Sequence, residues 1–212
     1  MKIPAIEWLG RVPYEEALLI QEQLVRSVLA TGTEKILLLE HHSVYTIGRT
    51  QDESSLVDRN KLSFPIHRIN RGGQATYHGP GQLVCYPILN IATRGRDLHR
   101  YLRFLEEVNL AVLWEYGIRG CRREGLTGVW VENRKIASIG VGIRRWVSMH
   151  GFALNVAKSL PGFSEIIPCG IAGVAITSLS AEMGHDVALC DVVGTTKKVL
   201  AHLLKVSADG SF

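Results

Sequence analysis

No apolar stretch of the 212-residue chain approaches the roughly 20 residues that a membrane span needs. The opening Lys2-Ile3 hints at a leader, but Glu7, Arg11, Glu15 and Glu16 interrupt any apolar region. A soluble, cytoplasmic protein is therefore expected, without membrane attachment. Cysteine is scarce: Cys85, Cys121, Cys169 and Cys190 stand far apart and form no C-x-x-C pair. That argues against a zinc knuckle and a disulfide framework, and fits a reducing compartment. H-E-x-x-H is missing, and the neighbours His41 and His42 would point to opposite sides of a strand, so no metal site is expected. Without G-x-x-x-x-G-K-[ST] a phosphate-cradling loop is unsupported, and without G-x-S-x-G there is no serine nucleophile elbow. The net charge of +4 is too mild for nucleic-acid binding and favours an acidic protein partner only weakly.

What is present is enough apolar material for a sizeable core, 46% of residues. The length fits one domain over residues 1–212. Residues 3–9 predict a strand. Pro13 suits the start of a helix, with Glu15 and Glu16 favourable in its first turn and Ala17, Leu18, Leu24, Val25, Val28 and Leu29 inward. Residues 35–40 and 44–47 predict strands, 51–61 a loop or short helix, and 66–70 and 83–91 further strands. Asp97 can cap a helix of about 20 residues, with Leu98, Tyr101, Leu102, Leu105 and Val112 inward. Strands follow at 128–132, 135–143, 146–156 and 174–179, with a hairpin turn at Asn133-Arg134, and a helix closes at 192–206. Strands and helices mix without regular βαβ alternation, so the fold class is α+β, mixed sheets flanked by helices.

One stretch organises the rest: Arg71-Gly72-Gly73-Gln74-Ala75-Thr76-Tyr77-His78-Gly79-Pro80-Gly81-Gln82. Four glycines and a proline within eleven residues exclude a helix. Glycines let the main chain approach a ligand closely, while Arg71, Gln74, Thr76, His78 and Gln82 supply polar heads. A loop of this kind feeding a buried strand reads as a wall of a binding site, against the plainer reading of a surface turn.

Among the cysteines, Cys169 sits between Pro168 and Gly170, where a bent backbone can present the thiol. A small buried residue is the other reading. A nucleophilic thiol needs a proton acceptor, because its ordinary pKa is about 8.5. His78 and His150, each beside a glycine, are candidates. So is Lys135, which heads the run Ile136-Ala137-Ser138-Ile139-Gly140 and is either a solvated hairpin lysine or an amine held near the interior.

Taken together, these residues resemble the lipoyl(octanoyl) transferases of the biotin and lipoate protein ligase superfamily. The resemblance rests on the glycine-rich stretch with Tyr86-Pro87, and on Val44-Tyr45-Thr46-x-Gly48-Arg49. It rests also on Thr127-Gly128-Val129-Trp130-Val131, on Lys135 to Gly140, on His150-Gly151-Phe152-Ala153-Leu154-Asn155 and on Ile167-Pro168-Cys169-Gly170-Ile171. Ser43 stands where the family often has proline. The fold implied is that of the biotin/lipoate ligase catalytic domain. The activity implied is transfer of an octanoyl or lipoyl group, without cofactor or ATP. The donor would be acyl carrier protein, and the acceptor a lysine of the lipoyl domains of 2-oxoacid dehydrogenase and glycine cleavage complexes. The acyl thioester would form on Cys169, with Lys135 lowering its pKa and shuttling protons.

The resemblance further implies that Arg71, Gly72, Gly73, Gln74, Ala75, Thr76, Tyr77 and His78 line the acyl pocket. Ser138, Ile139 and Gly140, and Gly151, Phe152 and Ala153, complete it. Backbone amides beside Cys169 and Gly170 would hold the tetrahedral oxyanion. Arg94, Arg96, Arg100 and Arg103, or Arg122, Arg123, Arg144 and Arg145, could form the patch that receives acidic partners, against the plainer reading of scattered solubilising charges. Two rivals remain at this point: an ATP-dependent lipoate or biotin ligase, and a non-catalytic lipid- or carrier-binding module.

Overall fold

Two strands, Lys35–His41 (β2) and Gln82–Ile88 (β6), are buried along almost their whole length. Side chains alternate between the faces of a strand, so a continuous aliphatic run demands cover on both. Ile36, Leu38, Leu83 and Cys85 face one cluster, and Leu37, Leu39, Val84, Tyr86 and Ile88 the other. In this computed structural model, which describes residues 3–49, 53–167 and 173–206, helices supply that cover. The helix Tyr14–Thr31 (α1) lies on one side, and Leu98–Glu115 (α2) and Leu189–Val206 (α4) lie on the other. The short helix Leu179–Met183 is α3.

The other strands of the large sheet are Ala5–Val12 (β1), Cys121–Arg123 (β7), Leu126–Val131 (β8), Arg134–Arg144 (β9) and Val147–Asn155 (β10). Their order is β1-β2-β6-β10-β9-β8-β7. Only β1 pairs parallel along this path; a short strand, Ala175–Ile176 (β11), adds parallel to the start of β9. A small second sheet joins Val44–Ile47 (β3), Ile66–Arg68 (β4) and Thr76–His78 (β5), in the order β4-β3-β5, over its own apolar cluster. Mixed sheets with flanking helices make the fold α+β.

Several elements differ from expectation for identifiable reasons. Pro13 is the N-cap of α1 and not its first residue. The buried face of that helix is Tyr14, Ala17, Gln21, Val25 and Val28, while Leu29 is exposed. Gln21 points inward because His150 in β10 has φ of 56°, and the side-chain oxygen of Gln21 accepts its N–H at 2.7 Å. The β8–β9 turn falls one residue early, with Glu132 at φ of 50°. The next hairpin turns on Arg145 and Trp146, both at positive φ, the combination that a two-residue turn with the twist of its strands requires. Leu98 lies 38% exposed at the start of α2 and is not a core residue. The strand foreseen at 174–179 pairs over two residues only, because Ser178 then caps α3. Asp97 caps α2 as expected, accepting from the His99 and Arg100 amides.

Candidate active site

The glycine-rich stretch lies across β9 as a second layer. The Gly72 amide donates to the Val141 carbonyl at 3.0 Å, and the Arg49 amide donates to the Arg71 carbonyl at 2.9 Å. Such contact leaves no space for side chains. A Cβ on Gly48 would fall 1.8 Å from the Gly73 oxygen, and one on Gly142 would fall 2.6 Å from the Asn70 oxygen. Arg71 is buried. Its guanidinium donates to the carbonyl and hydroxyl of Thr46, each at 2.8 Å, and to its neighbour Gly72 at 2.9 Å. It thereby fastens the loop to β3.

Beneath this layer are two neighbouring hollows that share the Gly73, Ile139 and Gly140 backbone. The smaller, about 40 Å³, is walled by Arg71, Gly73, Thr76, His78, Ser138, Ile139, Gly140, Gly151, Phe152 and Ala153, with Tyr14, Ile69, Tyr86 and His150. The larger, about 420 Å³, lies between β9 and the start of α2 and reaches Gly72, Leu98, Leu102, Thr127 and Lys135. Ten of the residues expected to bind substrate thus meet at the first hollow, and Gly72 lies at the second. Gln74, Ala75 and Tyr77 line neither: Ala75 and Tyr77 belong to the apolar cluster of the small sheet. Gly151 is held to glycine by its neighbours, since a Cβ there would lie 2.2 Å from the Cys85 oxygen.

Lys135 is 2% exposed, an interior amine and not a solvated hairpin residue. Its Nζ donates to the Thr127 carbonyl at 3.3 Å and lies 5.1 Å from the centre of the Trp130 ring. Gly128 gives it room: a Cβ there would meet Lys135 Cε at 2.8 Å. Cys169, Gly170 and Ile171 lie outside the described residues. On either side, the Ile167 amide donates to the Ser55 carbonyl at 2.6 Å, and Ile176 pairs with Lys135 in the β11–β9 register. Of the other cysteines, Cys85 is in the core, where burial raises its pKa well above the ordinary thiol value, and Cys121 and Cys190 are exposed.

His78 and His150 line the smaller hollow, apart from the amine, and the His41 ring lies 5.8 Å from that of His78. His41 holds the Val12 carbonyl at 2.9 Å through Nδ1, which must carry the proton because a carbonyl only accepts. Its Nε2 then accepts from the Tyr86 hydroxyl at 2.8 Å. His78 Nδ1 meets Gln82 Oε1 at 2.8 Å, and the chain continues from Gln82 to Asn155 and from Asn155 to the Thr177 carbonyl, each at 2.9 Å. Burial pushes His41 down to about 4, and burial with the neighbouring His41 pushes His78 to about 3. Burial, then the Arg71 charge, pushes His150 to about 4.

All three are neutral when folded at pH 7 and bind protons less readily than in the unfolded chain, whose histidines titrate near 6.5. Stability is therefore fully present above about pH 6.5 and falls as pH drops toward the folded values. The slope is on the order of 1.4 kcal/mol per pH unit for each histidine. Thermal melts between pH 7 and pH 5 are expected to show a steep loss; a flat profile would count against neutral, buried imidazoles.

Of the arginines expected to receive partners, Arg94 is excluded. It is buried and pairs through both terminal nitrogens with the Glu34 carboxylate. Arg96, Arg100, Arg144 and Arg145 are exposed, Arg96 lying over the Trp146 ring. Tyr14, Leu98 and Leu102 were not foreseen as part of a site. The two leucines, four apart on α2, carry the ordinary signal of a core face. Tyr14 carries no signal at all.

Among known proteins, the chain is 53% identical over 201 residues to an octanoyltransferase of Syntrophotalea carbinolica, covering 94% of each. It is similar in structure to the bipartite lipoate protein ligase of Thermoplasma acidophilum, with a TM-score of 0.76 at 18% identity, over 97% of this chain and 85% of that one. A biotin protein ligase of Aquifex aeolicus shares the fold more distantly, with a TM-score of 0.56 at 16% identity, over 99% and 73%. Residues 13–201 match the family described as the lipoyl protein ligase A/B catalytic domain. The glycine loop over β9 and the length of these matches lead to one conclusion: the chain belongs to the lipoyl protein ligase A/B catalytic-domain family.

Proposed function

We propose that this protein is an octanoyltransferase that moves the acyl group from acyl carrier protein to a lysine of a lipoyl domain, through a thioester on Cys169. The observation that carries this reading is the interior amine of Lys135, set at a hollow beneath a glycine-rich layer. The relative of 53% identity bears the name octanoyltransferase. The Thermoplasma acidophilum ligase was solved in a study of that enzyme and its E2 lipoyl domain, which supports a lipoyl domain as acceptor.

In the first step Lys135 takes the Cys169 proton. The thiolate attacks the donor carbonyl, a new C–S bond forms, and the bond to the carrier's thiol breaks. Lys135 returns the proton to that leaving sulfur. In the second step the acceptor lysine attacks the thioester and gives its proton to Lys135. The amide forms, and the Cys169 sulfur leaves and takes that proton from Lys135. A thioester intermediate keeps the acyl group activated, so ATP has no part to play, and one thiolate serves two protein partners in turn. His78 and His150 border the smaller hollow and not the amine, so proton transfer falls to Lys135 and binding to the other wall. From residue 169 to residue 176, beside Lys135, the chain can span no more than about 25 Å, and Thr177 donates its amide to the Lys135 carbonyl at 3.0 Å.

The test is a pair of incubations with a purified lipoyl domain. Octanoyl-acyl carrier protein is expected to label it without ATP, and free octanoate with ATP is expected to leave it unlabelled. The reverse pattern would make this a ligase. Ligand binding and function unchanged in Cys169→Ala would make it a binding module.

A further inference from the structure

Glu106 is a carboxylate buried in α2, 1% exposed, outside both hollows. Its Oε2 takes Arg103 Nη1 at 2.6 Å and Arg122 Nε at 3.0 Å. Its Oε1 turns the other way and accepts the Gly128 amide at 3.2 Å. That amide belongs to the peptide unit whose carbonyl, on Thr127, accepts Lys135 Nζ at 3.3 Å. One planar peptide thus has a carboxylate on its N–H and the amine on its C=O. Burying a carboxylate is costly, and two arginines that reach solvent could be paired more cheaply at the surface. A neutral amide side chain could also accept from the Gly128 N–H, in a weaker hydrogen bond. A charge here pairs with Arg103 and Arg122 and also polarises the peptide, since hydrogen bonds in series strengthen one another at low local dielectric.

We infer that Glu106 is a positioning residue for Lys135, acting through the Thr127–Gly128 peptide to hold the amine in line for proton transfer. The inference rests on the role proposed above for Lys135. It also gives Arg103 and Arg122 a purpose: they hold the carboxylate aimed at the peptide.

The test uses the full chain with octanoyl-acyl carrier protein as donor. Glu106→Gln keeps an oxygen for the amide and removes the charge. It is expected to lower kcat about tenfold, with KM for the donor within about twofold. In a Lys135→Ala background the same change is expected to lower the residual rate less than about twofold, because residues acting as a unit are not additive. The Gly128 amide proton is expected to move upfield in the NMR spectrum of folded Glu106→Gln. Glu106→Asp keeps the charge but withdraws the oxygen, and it serves as the second variant should the first fold poorly; it is expected to lose kcat as well. Wild-type kcat in both variants, or an undiminished tenfold loss without Lys135, would show that Glu106 only ties α2 to β8. Full activity of Lys135→Ala alone would instead defeat the assignment of the amine itself.

Discussion

Replacing Lys135 with alanine is expected to lower turnover about a thousandfold, the usual contribution of a well-placed general acid and base. The protein should still fold. The change removes an amine that is unfavourable to bury and leaves a hole beside Trp130, two effects of opposite sign. Active-site residues often weaken the fold that holds them, so the melting temperature should move by only a few degrees. Lys135→Arg is not expected to rescue the rate. A guanidinium cannot give up its proton, and Gly128 leaves it little room. Single-turnover assays and thermal melts on both variants check this. A Lys135→Ala enzyme within tenfold of the wild-type rate would remove the amine from the mechanism.

The second large effect is expected at Gly128. Its φ is 132°, a conformation that residues with a side chain rarely adopt, and a Cβ would stand 2.7 Å from the Ala137 oxygen and 2.8 Å from Lys135 Cε. Backbone oxygen cannot yield, so the lysine must. Gly128→Ala is expected to cost about 2–4 kcal/mol of stability through strain and overpacking, and at least a hundredfold in turnover through displacement of the amine. Gly32→Ala is the control: it closes α1 and lines neither hollow, its φ is 73°, and a Cβ there would have no neighbour within 4 Å. It should cost about 1 kcal/mol and leave chemistry alone. Denaturant unfolding and turnover on the two variants separate backbone strain from collision with Lys135.

Much of this arrangement was legible in the amino-acid order. The buried strands β2 and β6 follow from aliphatic runs, and α2 follows from Asp97 and its apolar repeat. The glycine loop announced close backbone approach, and the structure puts that need on Gly48 and Gly142, which face the loop, whereas a Cβ on Gly72 itself would meet nothing nearer than 3.9 Å. What escaped notice depends on pairs distant in sequence. Gln21 faces the sheet because of the backbone angle at His150, 129 positions later. The environment of Lys135 could not be read from local pattern, since a lysine after a hairpin is ordinarily solvated. The Thr127 carbonyl, the Trp130 ring and the space over Gly128 make it an interior group. Arg94 looked like surface charge because Glu34, its partner, lies 60 positions away. Glu106 gave no sign in a helix otherwise read by its apolar face.

Cys169 as the acyl carrier is the claim on which the rest stands, and intact-protein mass after incubation with octanoyl-acyl carrier protein tests it most directly. One octanoyl group should add to the wild-type chain, come off with hydroxylamine as a thioester does, and fail to appear on Cys169→Ala. An alanine variant that still takes up the group, or still labels the lipoyl domain at the wild-type rate, would contradict it.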